Sequence, residues 1–105
     1  MSGNWVDIGA SGVVREGAPL EAQAGGAAVL VVRCGPQLYA VEDRCTHDGE
    51  TLGTALIEEC EVTCPRHGAR FCLKSGEVLS PPAYEPLRTF AVREADGRVL
   101  LEVPE

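Results

Sequence analysis

Apolar residues in the first half of the chain form two neighbouring segments separated by a Gly-Pro pair. Residues 27–33 (AAVLVVR) are rich in β-branched side chains, and residues 37–41 (QLYAV) alternate in polarity. Both features are typical of β-strands, and Gly35 with Pro36 supplies a turn between them. The pattern therefore predicts a β-hairpin in this half of the chain.

A second hairpin is indicated near the C-terminus. Residues 87–94 (LRTFAVRE) and 98–103 (RVLLEV) are strand-like and flank Asp96 and Gly97. An Asp-Gly pair readily forms the tight turn that joins two antiparallel strands. We expect these two strands to close the core.

The N-terminal segment gives weaker indications. Residues 5–8 and 12–15 are short candidate strands, whereas residues 17–26 are rich in Gly, Ala and Pro and are interpreted as a loop. No segment repeats apolar residues with the spacing of a long helix. The chain is therefore expected to be all-β.

The middle of the chain concentrates the residues that can bind metals. Residues 43–83 contain both histidines and four of the five cysteines. Within this stretch, residues 54–58 and 60–63 are candidate short strands that would hold two loops side by side. We interpret residues 43–83 as an inserted site-bearing subdomain, and residues 1–42 and 84–105 as a basal β subdomain.

Length, charge and cysteine content restrict the class of protein. A chain of 105 residues suits a single domain spanning residues 1–105, and its net charge of -7 argues against binding to a nucleic-acid backbone. No signal peptide and no apolar run of membrane-spanning length is present, so we expect a cytoplasmic protein without membrane attachment. In that compartment the cysteines are expected to be reduced or metal-bound.

Two short motifs carry the candidate chemistry. Cys45 and His47 form a C-x-H element, and Cys64 and His67 form a C-x-x-H element. Thiolates favour zinc, copper(I) or iron-sulfur clusters, and imidazole suits zinc, copper and iron, so ligand type alone leaves the metal open. A mononuclear zinc site less often begins with C-x-H, whereas a binuclear cluster allows each loop to place its two ligands on different metals.

These motifs resemble those of the Rieske proteins, and more closely the ferredoxins of bacterial ring-hydroxylating dioxygenase systems. The resemblance rests on CTH at residues 45–47, CPRHGARF at residues 64–71 and SGEVLSPPA at residues 75–83. It implies an all-β, Rieske-like antiparallel β-sandwich with an inserted cluster-binding subdomain of two loops.

The resemblance also implies the cofactor and its ligands. One [2Fe-2S] cluster would be bound by Cys45 and Cys64 at one iron and by His47 and His67 at the other. The iron bound by the histidines would lie nearest the surface. Electrons would then enter and leave through the imidazole edges.

The function implied is that of a soluble one-electron carrier with no catalytic residues of its own. Its expected partners are a flavin-dependent NAD(P)H reductase and a terminal oxygenase, and the carrier itself would be monomeric. Acidic residues near the site would steer a basic partner surface towards it, namely Asp43, Asp48, Glu50, Glu58 and Glu59.

Two alternatives stay open at the level of sequence. One is the small Rieske-like subunit of an NADH-dependent nitrite reductase, which has about the same size. The other is a zinc-stabilised interaction module without redox activity. A catalytic ring-hydroxylase subunit is excluded, because both histidines are already used and none remains for its mononuclear iron.

Departures from the high-potential members of the family predict a low reduction potential. Glu50 and Arg66 stand where those members carry a disulfide between the loops, and Ala69 and Phe71 replace their serine and tyrosine hydroxyls. Without these hydrogen-bond donors the reduced cluster is less stabilised, so we expect a midpoint of roughly -150 mV. Residues 80–83 resemble the proline loop that covers the cluster.

The remaining cysteines have no neighbouring histidine. We expect Cys60 and Cys72 to be buried free thiols, and Cys34 to be partly exposed beside the Gly-Pro turn.

Overall fold

The structure is a computed structural model that describes residues 4–16, 18–45, 51–52, 56–64, 68–81 and 85–103. Within them no helix has the length and apolar character that a membrane span requires. The strands are β1 (Asn4–Ala10), β2 (Leu20–Ala24), β3 (Ala27–Cys34), β4 (Gln37–Glu42), β5 (Leu56–Glu58), β6 (Glu61–Thr63), β7 (Arg70–Cys72), β8 (Val78–Ser80), β9 (Thr89–Phe90), β10 (Val92–Ala95) and β11 (Arg98–Val103).

The strands form three antiparallel sheets. A central sheet has the order β2-β3-β4-β9, a terminal sheet has the order β1-β11-β10, and an inserted sheet has the order β5-β6-β7-β8. The all-β prediction is confirmed. The predicted strands within residues 54–63 are present as β5 and β6, while positions 54 and 55 lie outside the described residues.

The central sheet is buried on both faces, which explains the continuous apolar run in β3. Val31 packs in one core with Leu101 of the terminal sheet, and Leu30 packs in a second core with Phe71 of the inserted sheet. Successive side chains of a strand point to opposite faces, so a strand between two cores needs apolar residues at every position. β3 therefore joins the two halves of the molecule.

Both predicted hairpins are present, but the second is divided. β3 and β4 pair around the Gly-Pro turn, and β10 and β11 pair around Asp96 and Gly97. The predicted single strand over residues 87–94 is instead two strands, because the chain leaves the central sheet after β9 and enters the terminal sheet at β10. The pattern of residues within one segment does not show that its two halves pair with different sheets, so this break could not be predicted from it.

The prediction of a loop over residues 17–26 is wrong. β2 lies in this segment and pairs with β3, with Leu20 opposite Val31. Leu20 and Ala22 pack against the core shared with the terminal sheet. The strand is difficult to predict from sequence because Ala22 and Ala24 have low β-propensity, and its backbone pairs with the strongly predicted β3.

The predicted short strand over residues 12–15 is also wrong. Ser11–Val13 form one turn of 3-10 helix, and Arg15 makes only an isolated bridge with Ala18. The preceding predicted strand, over residues 5–8, lies within β1 and is confirmed.

The prediction of a buried free thiol at Cys60 is wrong. Cys60 is half-buried and forms a disulfide with Cys34, which is half-buried as expected. Cys72 carries a free thiol but is half-buried rather than buried. Sequence gave no indication of the bond, because only the packing of two sheets brings the cysteines together.

Candidate metal centre

Cys45 lies just beyond the end of β4, where the chain leaves the central sheet. Its side chain is fully buried, and it is not in a disulfide. It belongs to the same core as Leu52, Val62 and Phe71, between the central and inserted sheets. The first motif cysteine is therefore held at the junction of the two sheets and away from water.

Asp43 supports the segment that carries Cys45. Its backbone N–H donates a 2.9 Å hydrogen bond to the carbonyl oxygen of Ala28, which continues the contact with β3. Its Oδ1 accepts a 2.7 Å hydrogen bond from the backbone N–H of Leu52, and the residue is only 5% exposed. One buried carboxylate thus joins the two ends of residues 43–52.

Asp43 was assigned by sequence to an acidic partner-steering surface, and its burial contradicts that role. Its carboxylate instead faces Glu21 of β2. A side-chain hydrogen bond with Asp43, together with repulsion between the two charges, raises the pKa of Glu21 above its ordinary value. The sequence signal that was missed is an acidic residue directly after a strand and two positions before a candidate ligand.

Cys64 follows β6 directly and begins the second motif. It is 1% exposed and is not in a disulfide. Its backbone N–H donates to the carbonyl oxygen of Ala69 at 2.8 Å, and its own carbonyl accepts from the N–H of Gly68 at 3.0 Å. Gly68 has a φ of +76°, a conformation that glycine adopts without steric cost. These bonds join the two described ends of the second motif loop.

Ala69 and Phe71 lie beside this loop, at the positions where the sequence predicted missing hydroxyl groups. Both are fully buried in the core that contains Cys45 and Cys64. The surroundings of the two cysteines are therefore apolar at these positions. A buried side chain that cannot donate a hydrogen bond gives no stabilisation to negative charge on a neighbouring sulfur.

Gly76 and Leu87 close the base of the segment that contains the predicted proline loop. The N–H of Leu87 donates to the carbonyl oxygen of Gly76 at 2.7 Å. Gly76 is buried with a φ of +78°, and a Cβ atom there would collide with the carbonyl oxygen of Leu87. Only glycine allows this close approach of the two ends.

Ser80 connects that segment to the second motif loop. Its hydroxyl accepts a 3.2 Å hydrogen bond from the N–H of Arg70 and donates at 3.4 Å to the carbonyl oxygen of Gly68. Pro81 follows and is exposed. Pro82 and Ala83, which complete the predicted proline loop, lie outside the described residues.

The described donor atoms match part of the ligand set of an iron-sulfur cluster. Cys45 and Cys64 share one apolar core and offer the soft sulfur ligands that such clusters require. His47 and His67 lie outside the described residues, as do Glu50 and Arg66. Among the residues that are described, no group of three or more His, Cys, Asp or Glu side chains forms a metal site. The two cysteines fit the sulfur-bound half of a [2Fe-2S] site.

Comparison with protein families supports this chemistry. Residues 4–91 match the family described as the Rieske [2Fe-2S] domain. The chain is similar to the 3-phenylpropionate/cinnamic acid dioxygenase ferredoxin subunit of Escherichia coli (strain K12). The two are 36% identical over 78 residues, which cover 73% of this chain and 74% of the relative.

Solved structures show the same fold. The ferredoxin of carbazole 1,9a-dioxygenase from Nocardioides aromaticivorans IC177 matches with a TM-score of 0.91 and 25% identity, covering 96% of this chain and 99% of that one. A chain from the complex of reduced oxygenase and oxidised ferredoxin in carbazole 1,9a-dioxygenase matches with a TM-score of 0.86 and 31% identity, covering 93% and 92%. The fold expected from the resemblance is confirmed.

Proposed function

The chain belongs to the Rieske [2Fe-2S] domain family, and from that premise we propose that it carries single electrons to the terminal oxygenase of an aromatic-ring dioxygenase system. It is an electron-transfer ferredoxin with one Rieske-type [2Fe-2S] cluster and is not an enzyme by itself. The observation that carries the proposal is the family match together with two buried motif cysteines in one core. The zinc alternative is wrong, because the family cofactor is an iron-sulfur cluster.

We assign the cluster ligands to Cys45, His47, Cys64 and His67. The burial of both cysteines in one core, just beyond the ends of β4 and β6, supports the assignment. When bound, the cluster supplies a one-electron couple whose imidazole ligands raise its potential above that of an all-cysteine cluster. The division into a cluster-binding subdomain over residues 43–83 and a basal subdomain over residues 1–42 and 84–105 is part of this proposal.

The protein residues have two tasks in this proposal. Apolar side chains such as Leu52 and Phe71 keep water from the sulfur ligands. The bonds from Asp43 to Leu52 and from Cys64 to Ala69 hold the two motif loops in place without a disulfide between them.

The proposed electron donor is a flavin-dependent NAD(P)H reductase, and the proposed acceptor is a terminal oxygenase. A relative similar to this chain is found in a complex of ferredoxin with its oxygenase, which supports the second partner. We further propose a monomeric, cytoplasmic protein. The nitrite reductase alternative gains no support from the relatives described above, which are named as dioxygenase ferredoxins.

The test begins with the purified protein prepared without oxygen. Iron and acid-labile sulfide are measured, and the reduced protein is examined by electron paramagnetic resonance. We expect equal amounts of iron and sulfide and the low average g value of a histidine-ligated cluster. Zinc without sulfide would contradict the function.

Single variants then test the ligands. Cys45→Ser and His67→Cys are expected to abolish or change the resonance signal, whereas Cys72→Ser, at a half-buried cysteine outside both motifs, is expected to retain it. An unchanged signal in Cys45→Ser would contradict the ligand assignment. Electron transfer from a flavoprotein reductase with NADH to the wild-type protein is then measured as bleaching of the visible absorption.

A further inference from the structure

The disulfide between Cys34 and Cys60 crosslinks two different sheets. Cys34 is the last residue of β3 in the central sheet, and Cys60 lies in the turn that joins β5 and β6 of the inserted sheet. Their Cα atoms are 5.6 Å apart, which is a normal separation for bonded cysteines. The bond therefore fastens the inserted sheet to the central one.

This crosslink lies at the end of the sheets away from the proposed cluster. The segment that carries Cys45 leaves the central sheet beside Ala28, at the beginning of β3, whereas Cys34 ends that strand. Six residues of extended strand separate the two ends by about 20 Å. On the other sheet, β6 separates Cys60 from Cys64. The bond is thus distinct from the ligands and from the positions of a disulfide between the motif loops.

The backbone at Cys60 indicates that this position depends on a tertiary contact. Glu58 pairs with Glu61, so Glu59 and Cys60 form a two-residue hairpin loop with φ values of +51° and +60°. Such loops strongly favour Asn and Gly, because positive φ is unfavourable for other residues. The disulfide and a 2.9 Å hydrogen bond from the N–H of Leu73 to the Cys60 carbonyl stabilise the turn.

The bond also closes a covalent ring that includes the first proposed sulfur ligand. The cysteines are 26 residues apart, and the ring that they close contains Asp43 and Cys45. A crosslink of this kind lowers the conformational entropy of the unfolded chain. Its formation is therefore expected to stabilise the folded arrangement of residues 34–60.

We propose that Cys34 and Cys60 form a reversible thiol-disulfide site that locks the inserted sheet to the central sheet when it is oxidised by a low-molecular-weight disulfide. The first thiolate attacks the reagent disulfide, forming a mixed disulfide and releasing one reagent thiol. The second thiolate attacks the protein sulfur of that mixed disulfide and releases the other. Two protein thiols are oxidised, one reagent disulfide is reduced to two thiols, and the protons balance.

Two features make the site suitable for this exchange. Both cysteines are half-buried, so they are not sealed in the core from small reagents. In a compartment that keeps most thiols reduced, such a bond forms when the pool of small disulfides rises. Neither feature depends on the cluster, so failure of the cluster assignment and failure of this proposal are distinguishable.

The first experiment counts thiols. The holoprotein is equilibrated in buffers of increasing ratio of oxidised to reduced glutathione, quenched and unfolded in acid, and alkylated with a maleimide for intact mass measurement. With five cysteines in the chain, we expect five alkylated thiols under reducing conditions and three under oxidising ones. Cys72→Ser should show one alkylated thiol fewer than the wild type in both states. Its two-thiol step should occur at the same glutathione ratio as that of the wild type. Cys34→Ser should show no two-thiol step.

Cys72 is the matched control because it is the other half-buried thiol that is described. A hydrogen bond with Ser75 lowers the pKa of Cys72, so a change of one thiol at this position has to be separated from the two-thiol step. A two-thiol step that disappears in Cys72→Ser would overturn the assignment to Cys34 and Cys60. A thiol count that stays constant across all buffers would overturn the reversible site.

The second experiment measures urea unfolding of each variant with and without reductant. Oxidation of the wild-type protein is expected to lower its unfolding constant by roughly 30-fold or more. Cys34→Ser should show no such dependence. Cys60→Gly removes both the bond and the positive-φ penalty, so it should be less stable than the oxidised wild type and at least as stable as the reduced one. Equal stability of oxidised and reduced wild type would overturn the locking role.

Discussion

The Oδ1 atom of Asp43 accepts a 2.7 Å hydrogen bond from the backbone N–H of Leu52 across the segment that contains Cys45. The N–H of Asp43 also donates to the carbonyl oxygen of Ala28, so the two hydrogen bonds connect Leu52 to β3 of the central sheet. Leu52 is fully buried in the same core as Cys45. A carboxylate outside the proposed ligand set thus supports the segment that carries a proposed sulfur ligand.

Replacement of Asp43 by alanine is expected to destabilise the protein and loosen the cluster. The Leu52 N–H would remain buried without its acceptor, at a cost of about 1–3 kcal/mol. Asp43→Asn keeps an oxygen acceptor and is the matched control. Urea unfolding and the rate of iron loss to a chelator measure the two effects. Wild-type behaviour of Asp43→Ala in both assays would contradict the role.

Restoring the missing hydroxyls at Ala69 and Phe71 is expected to raise the midpoint potential. A hydrogen bond that stabilises the reduced cluster by about 1.4 kcal/mol would raise a one-electron midpoint by about 60 mV. The single variants Ala69→Ser and Phe71→Tyr are compared with wild type by redox titration. Ala40→Ser and Phe90→Tyr make the same chemical changes outside the core shared with Cys45 and Cys64.

The outcome also tests why the wild-type potential is low. A wild-type midpoint above zero would contradict the expected value of roughly -150 mV. Equal shifts in the control pair and the site pair would show that general polarity, and not a directed hydrogen bond, sets the potential.

Gly76→Ala is expected to disturb the segment that contains the predicted proline loop. The added methyl group would collide with the Leu87 carbonyl, in addition to the cost of about 1–3 kcal/mol for positive φ. Gly97→Ala is the matched control, because Gly97 has a φ of +75° and open space around it. Thermal unfolding should show a larger loss for Gly76→Ala. Equal losses would contradict the importance of the close approach.

The ion pair between Arg33 and Glu94 predicts a pH dependence of stability. Arg33 Nη2 lies 2.8 Å from Glu94 Oε2, and the Arg33 hydrogen bond holds the pKa of Glu94 below its ordinary value of 4.5. A lowered folded-state pKa contributes stability above pH 4.5, and this contribution is lost as pH falls through the folded-state value. The pair therefore supports the protein at neutral pH.

Glu94→Gln is accordingly expected to lower the urea midpoint at neutral pH, with a difference from wild type that shrinks in acid. The size of the effect is limited by solvent, because the pair is partly exposed. Glu77→Gln removes one carboxylate at another exposed position and is the control. A difference that persists unchanged below the ordinary Glu pKa would contradict the assigned pair.

Some features of the fold could be predicted locally. The run of β-branched residues in β3 and the Asp96-Gly97 pair each carry enough information within a few residues to define a strand or a turn. Leu20 and Ala22 of β2 do not, because their strand depends on pairing with β3. The break at Ala91 was missed for the same reason, since the two strands beside it hydrogen-bond to different sheets.

At the site, the type of cofactor could be predicted from short motifs, whereas the contacts that support the ligands could not. The motifs that contain Cys45, His47, Cys64 and His67 were sufficient to predict the kind of cofactor through their resemblance to the Rieske proteins, because ligand type and spacing are properties of short segments. The family match confirms that cofactor, while the individual ligands stay a proposal. The role of Asp43 could not be read from its neighbours, because its partners come from β3 and from the far end of the loop.

The sequence by itself therefore determined an all-β electron carrier with a [2Fe-2S] cluster. Only the tertiary structure decided which residues brace that site and which cysteines bond to each other. Cys34 ends a strand and Cys60 lies in a turn of another sheet, and neither segment by itself indicates a bond. Their bond exists because the packing of Leu30 against Phe71 places one sheet on another, and contacts of that kind depend on distant parts of the chain.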